Sequence, residues 1–234
     1  MSVSLNLLCA GAVQGLVKAL LPRFEAETGA SVNARFGAVG AMREALAGGA
    51  PCDVMIVTDA MVVGLQGEGV LSPVPRAPLG RVRTGLAVPD GTPRIPVVTA
   101  EALRSSLLSA RAIYFPDAQR STAGIHFESV LSRLGLLESL GTRLRTFPNG
   151  ATAMRELAAD TRPGAIGCTQ ITEILYTPGI VLVGPLPPEF ELATVYTAAV
   201  AAAAEQPVLA QRLIELLTGP ASRELRVQGG FEFD

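Results

Sequence analysis

Short apolar segments alternate along this chain with longer stretches whose apolar residues recur at helical spacing. The first segment, residues 5–9, is followed by a stretch over residues 13–28 in which Leu16, Leu20 and Phe24 recur at intervals of four. Such spacing places the three side chains on one face of a helix, whereas a short apolar run is typical of a buried strand. A strand followed by an amphipathic helix predicts an α/β protein.

The same alternation continues to the end of the chain, and Gly29 is a typical residue to end the first helix. The pattern predicts further strands over residues 31–36, 53–57, 81–88, 112–115, 165–169, 180–183 and 194–199, and helices over residues 41–47, 100–109, 123–134, 151–159, 207–217 and 222–227.

A chain of 234 residues is long enough for two lobes of roughly 100 residues each. Proline-rich segments at residues 73–78 and 185–188 lie about where the chain would cross between such lobes. We therefore predict one discontinuous lobe formed by residues 1–82 plus 198–234 and a second formed by residues 83–197. Proteins of this kind bind their ligand in a cleft between the lobes, at the carboxyl ends of the strands.

The charge balance and the hydropathy limit the partners of this chain. Lys and Arg number 19 against 21 Asp and Glu, so no excess of positive charge favours nucleic acid. The mean hydropathy of +0.38 is high, but the best apolar run, residues 198–204, is shorter than the roughly 20 residues that a membrane-spanning helix needs. We expect a small anionic ligand, no nucleic acid, no membrane insertion, and a monomer or weak dimer.

Cofactor and location follow from what the sequence contains. Cys9, Cys52 and Cys168 are odd in number and lack paired short spacing, which argues against a disulfide framework and a zinc site. We find no nucleotide fingerprint, P-loop or metal-ligand cluster and predict no cofactor.

Residues 1–6 lack the features of a signal peptide. The expected location is cytoplasmic as the sequence is written, or periplasmic if a signal peptide was trimmed.

Four predicted helix starts are rich in small residues. Such starts leave backbone N–H groups at the positive end of the helix dipole, and several of them together would bind an anion without any lysine. Ordinary helix capping is the alternative for each one. The residues concerned are Gly11 and Ala12, then Ala38 and Val39, then Ser121, Thr122 and Ala123, and finally Asn149, Gly150, Ala151 and Thr152.

Six ordered blocks of the chain have a recognisable sequence, and they cover residues 8–12, 24–29, 36–42, 49–54, 167–170 and 183–187. Together these blocks resemble the molybdate-binding family of type 2 periplasmic solute receptors. The similarity implies a two-lobed periplasmic-binding-protein-like fold with a ligand cleft. The family binds its oxyanion with a serine in each of the first two turns and a tyrosine in a later block, where Ala12, Val39 and Gln170 stand here.

These departures make the chain more similar to a branch of the superfamily that includes aconitate isomerase. That resemblance implies binding of a small di- or tricarboxylate and isomerisation by proton transfer. The alternative is a non-catalytic solute-binding protein of an ABC-type transporter, for an organic anion or a molybdate-like oxyanion.

Proton transfer needs a base, and two residues are candidates. His126 is the only histidine and lies near the start of a predicted helix; a packed or surface histidine is the alternative. Glu173 lies three residues after Gln170, where it could instead cap its own helix. Tyr176 is the tyrosine best placed to close over a ligand. Cys168 has two possible roles, that of a proton donor and that of a buried apolar residue, and the sequence leaves both open.

Overall fold

The computed structural model describes residues 3–74 and 76–233. Met1 and Ser2, which belong to the segment considered above for a signal peptide, lie outside the described residues, as does Pro75 of the first proline-rich segment. The chain forms two compact units. One contains the residues up to Val82 together with those from Thr194 onwards, and the other is Arg83–Ala193. The prediction of an α/β protein with two lobes is confirmed.

Nine strands and ten α-helices follow one another in the described chain. In chain order they are β1 (Ser4–Ala10), α1 (Gln14–Thr28), β2 (Ser31–Gly37), α2 (Val39–Ala47), β3 (Val54–Thr58), α3 (Asp59–Gly67), β4 (Ala77–Pro89), α4 (Ala100–Ser109), β5 (Ala112–Pro116), α5 (Thr122–Arg133), α6 (Leu137–Leu140), β6 (Leu144–Phe147), α7 (Gly150–Ala159), β7 (Ala165–Gln170), α8 (Ile171–Tyr176), β8 (Ile180–Pro185), β9 (Ala193–Val200), α9 (Pro207–Thr218) and α10 (Arg223–Gln228).

The first unit is built on strands β2, β1, β3 and β9 in that order. β1 is parallel to both β2 and β3, and β9 is antiparallel to β3. α1 buries Leu16, Leu20 and Phe24 in the core, as their spacing predicts. Gly29 ends this helix in the left-handed conformation, with φ of 69°, and donates its N–H to the Glu25 carbonyl.

A buried aspartate in the first unit joins two distant segments of the chain by hydrogen bonds. Asp53 is 1% exposed, and its carboxylate accepts from the backbone N–H groups of Asn6 at 2.7 Å and of Gln206 at 2.9 Å. It thereby joins the start of β1 to the segment just before α9. Removal of this carboxylate would leave two backbone donors without an acceptor, so Asp53 has a structural role.

In the second unit β7 lies between β4 and β5, with β6 beyond β5 and β8 on the other edge of β4. β5 is parallel to both β6 and β7, whereas β4 is antiparallel to β7 and to β8. β5 is buried at every residue, which is typical of a parallel strand covered on both faces. One apolar cluster joins α4 and α5 to this sheet and another joins α7, so α5 and α7 cover opposite faces.

Three elements, α3, α6 and β6, were missing from the predictions. α6 has only four residues, which are too few to show the apolar spacing of a helix. α3 follows β3 directly, so no turn residue marks its start. β6 is a four-residue strand with the sequence Leu-Arg-Thr-Phe, in which two polar residues interrupt the apolar pattern that marks a buried strand. Its position at the edge of the sheet, paired with β5 alone among the described strands, explains the polar composition.

The described residues contain no helix that is both long and apolar enough to cross a membrane.

All three cysteine thiols are free, and Cys9 and Cys168 are buried. Burial raises the pKa of the Cys9 thiol and that of Cys168 well above the usual range. Burial also raises the pKa of Cys52 to about 12. Cys168 packs in the apolar cluster of α4 and α5, which favours its interpretation as a buried apolar residue rather than a proton donor.

Candidate functional site

The two predicted helix starts of the first unit present backbone and small apolar side chains. Gly11 and Ala12 form a single turn of 3₁₀ helix that leads into α1, and α2 begins at Val39. All three residues are buried. The residues that precede these turns, Ala10 and Ala38, provide no side-chain cap. The N–H groups of both starts are therefore not bound by a capping side chain, in contrast to the starts in the second unit.

The start of α5 is capped by Ser121, whose hydroxyl accepts from the Gly124 N–H at a long 3.5 Å. Thr122 and Ala123 are the first two residues of the helix. Gly124 lies so close to the Pro116 and Asp117 carbonyls that a Cβ at this position would overlap both. This close approach sets the first turn of α5 directly against the carboxyl end of β5.

The start of α7 is capped by Asn149, whose side chain accepts from the Thr152 N–H at 2.8 Å. The next two residues, Gly150 and Ala151, lie against Glu173 of α8. A Cβ on Gly150 would overlap the carboxylate of Glu173 and the hydroxyl of Thr169. The structure therefore brings the α7 start, the end of β7 and the start of α8 together around one carboxyl group.

The Glu173 carboxyl has only neutral hydrogen-bond donors among its recorded partners. Thr169 Oγ1 donates to Glu173 Oε2 at 2.5 Å, and the backbone N–H groups of Ala151 and Gln170 also donate to this side chain. The bond from Gln170 is the helix cap considered above as the alternative role, and the bond from Ala151 extends the cap to a second helix. Burial raises the pKa of Glu173 to about 7, although the three donors favour the ionised form.

A second carboxyl group at the other end of α7 has a different environment. Asp160, directly after the helix, accepts from Arg111 Nη2 at 2.6 Å and from the Tyr114 hydroxyl at 2.6 Å. Its side chain is 6% exposed. The hydrogen bond from the Arg111 guanidinium, followed by that from Tyr114, holds the pKa of Asp160 well below its usual range. Asp160 is thus a paired structural carboxylate.

Three buried polar side chains in the second unit lack a hydrogen-bond partner among the described residues. They are Gln170, at both its side-chain nitrogen and its oxygen, Thr84 and Thr172. Gln170 is a predicted site residue, whereas Thr84 and Thr172 are additional candidates. Buried polar groups in folded proteins are normally paired, so these three unpaired side chains are candidates for contact with a ligand.

The other two candidates lie on different helices, because His126 belongs to α5 and Tyr176 lies three residues after Glu173 in α8. His126 Nε2 lies 2.7 Å from the Phe190 carbonyl on the α5 side of the sheet, a contact in which the ring nitrogen acts as the donor. Tyr176 is the last residue of α8 and is 38% exposed. Neither observation tests a role with substrate, and both residues stay predictions.

The sequence analysis missed Thr84, Thr169 and Thr172, and two of these residues illustrate different reasons. Thr169 lies next to Gln170 and four residues before Glu173, but only the structure shows that its hydroxyl contacts Glu173. Thr84 gives no sequence signal, because its importance comes from pairing with Gln170 across β4 and β7. Such a pairing joins residues that are remote in the chain.

A separate cavity of about 300 Å³ lies toward the opposite end of β7. Its walls include Val88, Ile95 and Ile166, with hydroxyl groups from Ser105 and Ser109 of α4. None of the predicted site residues lines it.

The described residues contain no group of three or more His, Cys, Asp or Glu side chains that could bind a metal ion.

Comparison with known proteins gives one similar sequence of described activity and many similar structures. The chain is 26% identical over 223 residues to a protein named aconitate isomerase from a Pseudomonas species, an alignment that covers 92% of this chain and 82% of that protein.

Two solved structures illustrate the similarity in fold. The periplasmic molybdate-binding protein of Azotobacter vinelandii superposes with a TM-score of 0.79 at 20% identity, covering 98% of this chain and 99% of that one. The sulfate-binding protein SubI of Mycobacterium tuberculosis superposes with a TM-score of 0.74 at 16% identity, covering 98% and 86%. At these identities the likeness shows the fold alone.

A family model described as bacterial extracellular solute-binding protein matches residues 5–232, almost the whole chain. This description gives no support to the cytoplasmic location expected above. It agrees with the two compact α/β units, with the resemblance found in the sequence blocks and with the solved structures. The chain therefore belongs to the bacterial extracellular solute-binding protein family.

Proposed function

We propose that this protein binds a small di- or tricarboxylate and isomerises it by moving a proton, with Glu173 as the base. The observation that carries the proposal is the environment of Glu173, a buried carboxyl with neutral donors and a pKa raised to about 7. A group of that pKa is present in both protonation states near neutral pH, which is what a residue that takes and returns a proton requires.

The proposed reaction moves a carbon–carbon double bond. The Glu173 carboxylate removes a proton from the carbon next to the double bond, and the electron pair left behind spreads over the three carbons of the resulting allylic anion. The protonated carboxyl then returns the proton at the far carbon, so the double bond moves by one position. No oxidant or reductant is needed. Helix starts stabilise the negative charge that develops.

In this proposal the second unit binds the anion through Ser121, Thr122, Ala123, Gln170 and the α7 start. The helix starts of the first unit, at Gly11, Ala12, Ala38 and Val39, stay predictions. The similarity to a protein named aconitate isomerase supports an unsaturated tricarboxylate as the substrate class. We prefer Glu173 over His126 as the base because the Glu173 carboxyl is buried where the α7 start, the end of β7 and the start of α8 meet.

The direct test is incubation of the protein with cis-aconitate or trans-aconitate in deuterated water, followed by proton NMR. We expect interconversion of the two isomers with incorporation of deuterium. Glu173→Gln should lower the rate on the order of 10²-fold or more, as expected for loss of a general base. His126→Asn serves as the comparison and should retain most of the activity. Loss of activity in His126→Asn with activity intact in Glu173→Gln would exchange their roles.

A second candidate function is that of a non-catalytic solute receptor for a transporter. The family membership favours it, as does the fold shared with molybdate-binding and sulfate-binding proteins. A thermal-shift series with aconitate, succinate, sulfate and molybdate separates the two candidates. Stabilisation by molybdate together with no isomerisation and no deuterium exchange would favour the receptor over the enzyme.

A further inference from the structure

Two neutral polar side chains, one on β4 and one at the end of β7, lie next to each other in the sheet of the second unit. Thr84 and Gln170 are direct partners in the antiparallel pairing of β4 with β7, so their side chains lie on the same face of the sheet. They are 1% and 2% exposed. Thr84 Oγ1, Gln170 Oε1 and Gln170 Nε2 all lack a hydrogen-bond partner among the described residues.

This pair lies on the same face and at the same edge of the sheet as the start of α5. The next residues on that face, Leu86 and Cys168, are also direct partners, and both pack in the apolar cluster that contains Phe127 of α5. β5 and β7 are parallel, so their carboxyl ends reach the same edge, and α5 begins soon after β5 ends. The unpartnered polar atoms therefore face the region where the first turn of α5 presents its N–H groups.

The hydrogen-bond capacity of this region is not matched by a fully ionised oxyanion. An oxyanion only accepts hydrogen bonds, and the N–H groups of α5 and the Gln170 amide nitrogen would donate to it. Gln170 Oε1, however, is itself an acceptor and needs a donor from the ligand. Leaving it buried and unpaired weakens binding. An ammonium donor is disfavoured because the start of a helix repels positive charge. A hydroxyl group is a neutral donor that fits.

We propose that Gln170 and Thr84 select a hydroxycarboxylate, whose ionised carboxylate binds at the start of α5 and whose hydroxyl donates to Gln170 Oε1. Thr84 completes the site because its hydroxyl either donates or accepts. The inference rests on the proposed binding of an organic acid at this site, but not on the proton transfer at Glu173, which lies on the α7 face of the sheet.

The test uses acids that differ by one hydroxyl group. Malate is compared with succinate, and citrate with propane-1,2,3-tricarboxylate, by isothermal titration calorimetry of the whole chain near pH 8, where all the carboxyl groups are ionised. The hydroxylated member of each pair should bind about tenfold or more tightly. Gln170→Met, which keeps the length of the side chain and removes both polar atoms, should bring the two members of each pair to equal affinity.

Thr84→Val is the second variant, because it keeps the shape of the side chain on β4. It should reduce the preference for the hydroxylated member of each pair. Equal affinities within each pair in the wild-type protein would overturn the inference while leaving the proposed function intact. A preference that persists in Gln170→Met would overturn it as well. Failure of all four acids and of both aconitate isomers to bind would instead contradict the proposed function, and the inference with it.

Discussion

Two carboxyl groups lie at the two ends of helix α7, and their environments shift the pKa in opposite directions. Glu173 lies at the start of the helix, where the dipole favours a negative charge, and yet burial raises its pKa to about 7. Asp160 lies at the end of the helix, where the dipole disfavours a negative charge, and yet its pKa is lowered. The helix dipole alone would predict the reverse order.

The difference lies in the partners. Asp160 contacts the Arg111 guanidinium at 2.6 Å, and a full positive charge outweighs the partial charge of a helix end. Glu173 has hydrogen bonds from one hydroxyl and two backbone N–H groups, which do not compensate fully for its burial. A buried carboxyl with a cation beside it stays ionised and stabilises the fold, whereas one with only neutral donors exchanges its proton near neutral pH.

The largest expected change in stability comes from a substitution of Asp160, at the end of α7. Asp160→Asn removes the charge that balances Arg111, whose side chain is about one third exposed, so we expect a loss of about 3 kcal/mol in the free energy of unfolding at pH 7. Urea unfolding followed by circular dichroism measures it. Glu156→Gln, on the exposed face of the same helix, is the matched control and should change stability little. Equal effects of the two substitutions would remove the distinction between the ends.

A smaller effect of opposite sign is expected at the Glu173 end. The pKa of this carboxyl is raised from its usual 4.5 to about 7 in the folded protein, so the folded state binds the proton more tightly. Its ionisation therefore destabilises the fold as pH rises from about 4.5 through about 7. Glu173→Gln should stabilise the protein by about 2 kcal/mol at pH 8, below the ~3 kcal/mol that the pKa difference represents, because an amide oxygen replaces only one carboxylate oxygen.

Unfolding measurements of the wild-type protein and Glu173→Gln at several pH values test this expectation. The stability difference between the two proteins should be near its minimum below about pH 5 and should grow toward pH 8. A difference that is constant over this range would contradict a raised pKa at Glu173.

The smallest effect is expected from the hydroxyl that supports Glu173. Thr169→Val removes a donor that favours the ionised carboxyl, so the pKa of Glu173 should rise further and the stability at pH 8 should fall by about 1 kcal/mol. The measurement is the stability difference that Glu173→Gln makes in the Thr169→Val background at several pH values. The midpoint of its rise with pH should lie at higher pH than in the wild-type background. Thr169→Ser keeps the donor and should behave as the wild type. An unmoved midpoint in Thr169→Val would show that the hydroxyl does not influence the carboxyl.

Local patterns in the sequence predict much of this fold. Intervals of four place Leu16, Leu20 and Phe24 in the core, and Gly29 ends α1 as expected. The position of Glu173 three residues after Gln170 identifies it as a capping carboxylate or a base, and the structure adds that it contacts a second helix. These features depend on residues that are close in the chain, which is why the sequence contains them.

The parts that the sequence did not predict depend on distant partners. Asp160 and Arg111 are 49 residues apart, and nothing near either residue marks the other as its partner. Thr84 becomes a candidate only because β4 pairs with β7. The burial that raises the pKa of Glu173 is also a property of the assembled second unit, since it requires α7 and α8 to pack together at the end of β7.

The three thiols, two of them buried and that of Cys52 partly buried, give this protein a practical property. Because burial raises the pKa of Cys9, Cys52 and Cys168, thiolate is scarce at neutral pH and the native chain should react slowly with alkylating reagents. A single cysteine introduced at an exposed position would therefore take up a fluorophore selectively, with the natural cysteines left in place. The natural thiols would become reactive when the surrounding core unfolds locally. Their rates of alkylation would therefore report local unfolding of each unit separately, with Cys9 and Cys52 in the first unit and Cys168 in the second.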